Sequence, residues 1–424
     1  MRLAIFTSHF PGRINTFFAR DVRGLVDAGI DVEIFVTHPL DPELWRHVPD
    51  VLSAEVLPRD RVHHRSFSGS LANALTWPRT WRHVPALAGM TASALGHGLT
   101  PFAKSAYVMP KAIEWARRHG SRFDHVLAYW GNYPATCAYV FHRVAARPVP
   151  FSMFLHAGTD LYRSRVHLVR KLRYADNIVV VCEFNRQFLK STYPAVFDEL
   201  APKVYLHHLG VDVGALPFCP SGRPENRLVA VGGLHPAKGF DDLLRAAAEL
   251  HRRGRAFETF IVGGGPEARS LGRLAERLGL GAAVRFLGWQ SPEVALDQMR
   301  RATLLVHPSI GLGDAVPTVI KEAMAVGTPV IASAVAGIPE LLDDGRCGML
   351  TPPRNPRALA DAIASLMDAP DRRQAYAVAA RARVEAHFNQ SRNGLALADR
   401  LRRTERPMTM ARRASALTSF HETN

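Results

Sequence analysis

The sequence predicts an α/β protein built from two doubly wound, Rossmann-like domains, and three observations carry that expectation. Short apolar runs rich in β-branched residues alternate with helical patterns over most of the chain. The alternation runs through twice, and proline, glycine and serine cluster between the two sets at LPFCPSGRPEN (216–226). At 424 residues the chain exceeds one ordinary core, so two domains of roughly 150–200 residues each suit its length.

In the first set, LAIFTS (3–8), VEIFVT (32–37), HVLAYW (125–130), FSMFLH (151–156) and NIVVVC (177–182) read as buried parallel strands. TFFARDVRGLVDAG, between the first two, has helical spacing and a Gly29 stop. The second set holds RLVAVGG (227–233), ETFIVGG (258–264), AVRFLG (283–288), TLLVHPS (303–309) and PVIAS (329–333), with helices such as FDDLLRAAAELHRRG between them. This gives an N-terminal domain over 1–216 and a C-terminal domain over 217–386. A terminal helix over 387–405, with Asn389 as its cap, packs back on the N-terminal domain, and 406–424 form a mobile tail. Residues 60–122 stand apart, with nine Lys or Arg, two acids and three tryptophans, Trp77, Trp81 and Trp115, among small apolar residues.

Lys and Arg number 53 against 38 acids, a formal charge of +15 that favours a polyanionic neighbour. No DNA- or RNA-binding motif accompanies it, so nucleic acid is not expected as a partner. The tryptophans and basic residues of 60–122, extended by Arg163, Arg165, Arg170, Lys171 and Arg173, suit an anionic membrane surface. The four cysteines form no CxxC or Cys/His cluster, which argues against a disulfide framework or a zinc site and for a reducing cytoplasm. The opening MRLAIFTSHFPG has too short an apolar run for a secretory signal, and no run reaches the roughly 18 residues of a spanning helix. The expected location is cytoplasmic, peripheral on the inner face of the cytoplasmic membrane.

The chemistry-bearing residues concentrate in DAVPTVIKEAMAVGTPVIAS (314–333). Pro317 suits a first helical position, and the amides of Thr318 and Val319 then point out of a helix N-terminus, where the macrodipole favours phosphate. Glu322, four residues past Thr318 on the same face, can accept hydrogen bonds from ribose hydroxyls. Asp314 reaches outward toward whatever the diphosphate carries. Taken alone, the segment equally describes a helix start with two solvated acids. VGGLHPAKGFDDLL (231–244) sets Lys238 at a strand–helix turn, where an ammonium can neutralise a departing phosphate, although a lone lysine is more often a surface one. HAGTD (156–160) puts His156 at a strand's carboxyl end, and SHFPGRINTF (8–17) forms a Pro-Gly loop suited to close ligand approach. GGGPEA (263–268) formally matches a dinucleotide fingerprint, but the next strand ends in Gly288-Trp289-Gln290 with no acid. It reads as a tight turn with Pro266 opening a helix.

These residues resemble glycosyltransferase family 4, the retaining nucleotide-sugar enzymes of the GT-B fold, whose two Rossmann-like domains face across a cleft. DAVPTVIKEAMAVGTPVIASAVAGIPELL is similar to the family's E-x7-E segment and GIPE loop, while VGGLHPAKGF, IVGGGPE, RFLGW, HHLGVD and SHFPGRINTF follow in the family's order. HAGTDLY and YADNIVVVCEFNRQFL resemble the exopolysaccharide and lipopolysaccharide branch. The resemblance implies a metal-independent hexosyl transfer from a UDP- or GDP-sugar to a glycan or lipid-linked glycan, with no cofactor beyond that donor. It implies that Glu322 binds the ribose, Lys238 the diphosphate and Asp314 the sugar hydroxyls, with His156 beside the reacting sugar. Gly12 and Gly232 would lie near the phosphates and Trp289-Gln290 at the base. Two positions depart from the family: Asp314 replaces its glutamate, and Gly233 replaces an arginine that pairs with the lysine. The second loss removes about 1.5–3 kcal/mol of charge-assisted contact, with His235 the nearby substitute. A binding or scaffold protein with impaired turnover is therefore the alternative, and an NAD(P)-dependent oxidoreductase a weaker one.

Overall fold

A computed structural model describes residues 1–10, 16–39, 56–147, 149–163 and 165–404. Gly12 and the 406–424 tail lie outside them. The chain divides into two compact units. The first comprises Met1–Val181, Asn185–His207 and the described residues from Ser391 on; the second comprises Cys182–Phe184 and His208–Gln390.

The first unit holds a seven-stranded sheet of β1 (Arg2–Thr7), β2 (Asp31–Val36), β3 (Val62–His63), β4 (His125–Ala128), β5 (Phe151–Leu155), β6 (Asn177–Val180) and β7 (Val204–Leu206). The order is β3-β2-β1-β4-β5-β6-β7 and every pairing is parallel. Phe6, Phe35, Phe141 and Trp115 meet in its core with ring centroids 5.0–6.1 Å apart. Residues 60–122, which carried no periodic reading, form the helices Phe67–Thr76, Pro78–Leu95 and Leu99–His119. The helix Gln390–Arg403 packs on this unit, its Arg400 Nε donating to Asn177 Oδ1 at 2.7 Å and Asn177 Nδ2 to Thr404 at 2.8 Å.

The second unit holds six parallel strands, β8 (Arg227–Val231), β9 (Glu258–Val262), β10 (Val284–Gly288), β11 (Leu304–His307), β12 (Val330–Ser333) and β13 (Met349–Thr351), in the order β10-β9-β8-β11-β12-β13. Both sheets are doubly wound, with switch points between β1 and β4 and between β8 and β11. The units divide at His207/His208 rather than after Leu216, because the connecting segment is bound to the second unit. Val211 bridges to Asn389, and Arg381 donates to the Leu216 carbonyl at 2.6 Å. Among the described residues no helix is long and apolar enough to cross a membrane.

Arg223 locks that segment to the sheet. Its guanidinium donates to the carbonyls of Cys219 (2.7 Å), Arg300 (2.6 Å) and Val326 (2.8 Å), the last ending the helix Thr318–Val326. Arg223→Ala leaves these acceptors without their donor and should cost about 2 kcal/mol, seen as a lower thermal midpoint. A midpoint unchanged from wild type would show that water replaces the guanidinium freely.

Candidate active site

The residues expected to meet a diphosphate follow β8 and β11, the pair of strands at the switch point of the second sheet. Lys238 closes the turn Pro236–Lys238, and Asp314 lies in the loop after β11. Lys238 Nζ forms an ion pair with Asp314 Oδ1, and His307 Nε2 donates to Asp314 Oδ2 at 3.1 Å. Backbone geometry imposes the meeting. Gly239 has φ +64°, and a Cβ there would collide with the Pro308 carbonyl, so only glycine lets the Phe240–Arg252 helix start against the β11 loop. The Ala237 carbonyl accepts from Ile310 N (3.0 Å), Gly311 N (3.1 Å) and Ser309 Oγ (2.9 Å), and Asp314 N donates to Gly311 O at 3.3 Å. The lysine turn and the acid loop are therefore one hydrogen-bonded piece.

Burial is the largest influence on Asp314 and opposes its charge, yet His307's hydrogen bond and charge, then Lys238, hold the carboxyl well below the usual carboxylate range. Both oxygens have protein partners, where the sequence suggested a carboxylate reaching outward. Each oxygen retains a further lone pair for a ligand hydroxyl. The sequence reading places His307 only within the strand TLLVHPS (303–309), and its one available signal is a histidine near that strand's carboxyl end.

Pro317 is the N-cap of the helix Thr318–Val326 and not its first helical residue, because its ψ of 127° keeps it extended. Its carbonyl accepts from Lys321 N at 3.4 Å, and no side chain caps the first-turn amides, which include Thr318 and Val319. Glu322 is half-buried one turn further along. At the far side Gly263 admits the β9 loop against the Gly232 carbonyl, Gly232 N donates to Val262 O at 2.9 Å and Leu234 N to Gly264 O at 2.9 Å. This backbone contact explains the glycines of GGGPEA. The next helix begins at Ala268 and not at Pro266, which stays in the turn. Trp289 follows β10 with 69% of its surface exposed, and Gln290 Nε2 donates to Leu287 O at 2.6 Å.

Gly233 is not in a left-handed conformation, and a Cβ there would meet only ordinary contacts, the nearest His235 Cδ2 at 3.5 Å. Nothing in the backbone demands glycine. Gly233→Arg should fold normally and tighten nucleotide diphosphate binding about tenfold through a bidentate guanidinium. A well-folded variant with weaker binding, by calorimetry, would count against placing the diphosphate here.

In the first unit His156 follows β5 and is buried. Its Nε2 donates to the Tyr129 carbonyl at 2.7 Å, which leaves the buried Nδ1 without a hydrogen-bond partner. Burial lowers its pKa, so the ring is neutral and Nδ1 carries a lone pair. Asp160, which the sequence reading missed, accepts from the amides of His156 (2.8 Å) and Ala157 (2.9 Å) and so sets the HAGTD turn. The acid four residues after the histidine was its signal.

The basic face is smaller than composition implied. Lys171 is buried and donates to the carbonyls of Gly131 (2.7 Å) and Asn132 (3.0 Å), while burial pulls its pKa down to about 7. Lys111 is buried on Thr37 O at 2.9 Å, Glu114 pairs with Arg117 and Arg118, and Trp115 lies in the core. Of the three tryptophans only Trp81 is well exposed.

Residues 220–383 match the family model described as Glycosyl transferases group 1. A relative in Escherichia coli (strain K12), provisionally named a colanic acid biosynthesis glycosyltransferase, WcaL, is 32% identical over 195 residues, 44% of this chain and 48% of the relative. D-inositol 3-phosphate glycosyltransferase 2 of Catenulispora acidiphila is 40% identical over 154 residues, 34% of this chain and 36% of that protein. The chain thus spans about half or less of the curated relatives it matches. Among solved structures, HepE of Anabaena in complex with UDP and glucose aligns with a TM-score of 0.66 and 17% identity, over 95% of this chain and 99% of that one. The lipopolysaccharide outer core galactosyltransferase WaaB aligns at 0.65 and 14%, over 93% and 98%. At such identities the likeness is one of fold.

Proposed function

With a group 1 glycosyltransferase domain over residues 220–383 as the premise, we propose that the chain is a retaining glycosyltransferase. It moves a hexose from a UDP- or GDP-sugar to a glycan acceptor of exopolysaccharide or lipopolysaccharide type. The observation that carries this reading is the Lys238–Asp314–His307 cluster at the switch point of the second sheet. The helix Thr318–Val326 follows in the same loop, with no side-chain cap on its first turn.

The diphosphate lies on the amides of Thr318 and Val319 and on Lys238 Nζ, near Gly232, with Glu322 accepting from the ribose hydroxyls. The base rests by Trp289 and Gln290, beyond Pro317. Asp314 holds Lys238 toward the phosphates and accepts from a sugar hydroxyl. In the transfer, the bond from the anomeric carbon to the diphosphate breaks and the acceptor oxygen bonds to the same face of that carbon. The acceptor's proton passes to the departing phosphate oxygen, so no protein nucleophile is required. Lys238 and the helix amides supply the positive charge that faces the leaving diphosphate, so no step of the proposed transfer calls on a metal. The enzyme works in the cytoplasm, at the inner face of the membrane.

Incubation with UDP- and GDP-sugars, with and without glycolipid extracts, should release nucleoside diphosphate and give a product of unchanged anomeric configuration. Inversion would overturn the mechanism, and no consumption of any donor would overturn the activity. The second reading, a binding protein with impaired turnover, rests on Gly233, and slow hydrolysis of any one donor would exclude it.

A further inference from the structure

The helix Pro78–Leu95 is apolar on two opposite faces. One face packs on the first unit, where Thr80, Met90 and Ala94 are buried and Thr91 Oγ1 donates to Met109 Sδ of the helix Leu99–His119 at 3.4 Å. On the other, Trp81, Val84, Pro85, Ala88, Ala92 and Leu95 are all exposed, Trp81 to 61% and Leu95 to 50%. Their spacing puts them on one stripe, opposite the buried face. A helix that is apolar all round is normally covered on every side. Eight of the thirteen exposed large hydrophobics among the described residues lie between Phe67 and Phe102, so the stripe belongs to a patch and is not scattered surface.

Two features fit this stripe to a second copy of itself. Its residues are symmetric about Ala88, with Trp81 and Leu95 seven positions to either side and Val84 and Ala92 four. A two-fold axis at Ala88 lays two such helices antiparallel, each Trp81 against Leu95 of the other copy, and the small Ala88 lets the helices approach. The second feature is charge. Arg79 and Arg82 stand at the N-terminal end of the helix, where the macrodipole disfavours cations, and its first turn holds no acid. Neither arginine has an ion-pair or hydrogen-bond partner among the described residues. Antiparallel contact carries both to the C-terminal end of the other helix, where the macrodipole favours them. From Ser66 to Ala103 these two are the only Lys or Arg, too few for helices held on an anionic bilayer.

We propose that the chain forms a two-fold dimer through the helix Pro78–Leu95, two copies packing antiparallel about Ala88. Leu75 and Leu99, exposed just beyond the two ends of the helix, extend the contact toward the roughly 800 Å² per partner that a stable dimer covers. The axis brings the N-terminal end of one helix to the C-terminal end of the other, so the two extensions meet. The inference stands apart from the transferase reading and uses none of its residues.

Sedimentation equilibrium of the full chain tests it, with Ala88→Glu, Trp81→Lys and Leu95→Glu. All three positions are exposed, so the variants should fold, as circular dichroism will verify. Wild type should sediment at twice the 46.8 kDa chain mass at micromolar concentration. Ala88→Glu sets two carboxylates face to face on the axis and should raise the dissociation constant at least about a hundredfold. Trp81→Lys and Leu95→Glu should each be monomeric alone, yet an equal mixture of the two should dimerise. In the mixture the new ammonium of one copy meets the new carboxylate of the other, while the second Trp81–Leu95 contact stays native. A parallel pair would set each position against itself and give no such rescue. A monomeric wild type would overturn the dimer, and a dimer that Ala88→Glu leaves intact would overturn this interface. A mixture that stays monomeric would overturn the antiparallel register. A monomeric wild type that floats with phosphatidylglycerol vesicles, and no longer does so as Ala88→Glu, would give the face to a membrane and overturn the proposal.

Discussion

Lys238→Ala should lower turnover of the nucleotide sugar at least about a hundredfold, the scale for removing one charge partner of a transition state. In the proposed transfer the ammonium stands where negative charge grows on the leaving diphosphate, and Asp314 and the Ala237 carbonyl latch beneath it hold it in place. Its removal also leaves the Asp314 carboxylate largely buried with only His307 as partner. The helix amides remain, so nucleotide binding should weaken less than turnover. Steady-state kinetics and calorimetry on the same preparation separate the two. A turnover within threefold of wild type would remove Lys238 from the chemistry.

Asp314→Ala should lower turnover by about the same factor while leaving affinity for the free nucleoside diphosphate unchanged or raised. The reason lies in the ion pair: Asp314 engages Lys238, so in the proposed site a diphosphate would share that ammonium. Removing the acid frees the lysine for the phosphates but lets it swing from the reacting position. The pH sign follows from the depressed carboxyl. The pair's stabilisation is fully present above the ordinary aspartate value of 3.8 and is lost only as pH falls through the lower folded value. No loss of activity between pH 8 and pH 5 should therefore trace to protonation of Asp314. An acidic limb in that window that vanishes in Asp314→Ala would contradict this.

The repeated strand–helix grammar was legible because ten of the thirteen strands are apolar runs of four to six residues flanked by helical patterns. The missed strands, Val62–His63, Val204–Leu206 and Met349–Thr351, have two or three residues each and are fixed by sheet edges rather than by their own pattern. The helices of residues 66–119 escaped for another reason, since their small, scattered apolar residues give a weak stripe. Lys238 and Asp314 were nameable from motifs, but their pairing across 76 positions was not. That pairing depends on Gly239 against Pro308 and on three donors sharing the Ala237 carbonyl, contacts that local spacing does not encode. Lys171 shows the opposite failure: composition placed it on a basic surface, whereas the fold spends it on the carbonyls before the Tyr133–Val144 helix.

The central claim is that the second unit holds a nucleoside diphosphate through the helix Thr318–Val326, and calorimetric titration with UDP, GDP and ADP tests it directly. One of the three should bind wild type with one-to-one stoichiometry and stabilise it by about 2.7 kcal/mol at a hundredfold excess over its dissociation constant. The same nucleotide should bind Glu322→Ala at least about tenfold more weakly, because the ribose contact is lost with or without a sugar. Absence of binding by all three, or full affinity in Glu322→Ala, would contradict the account.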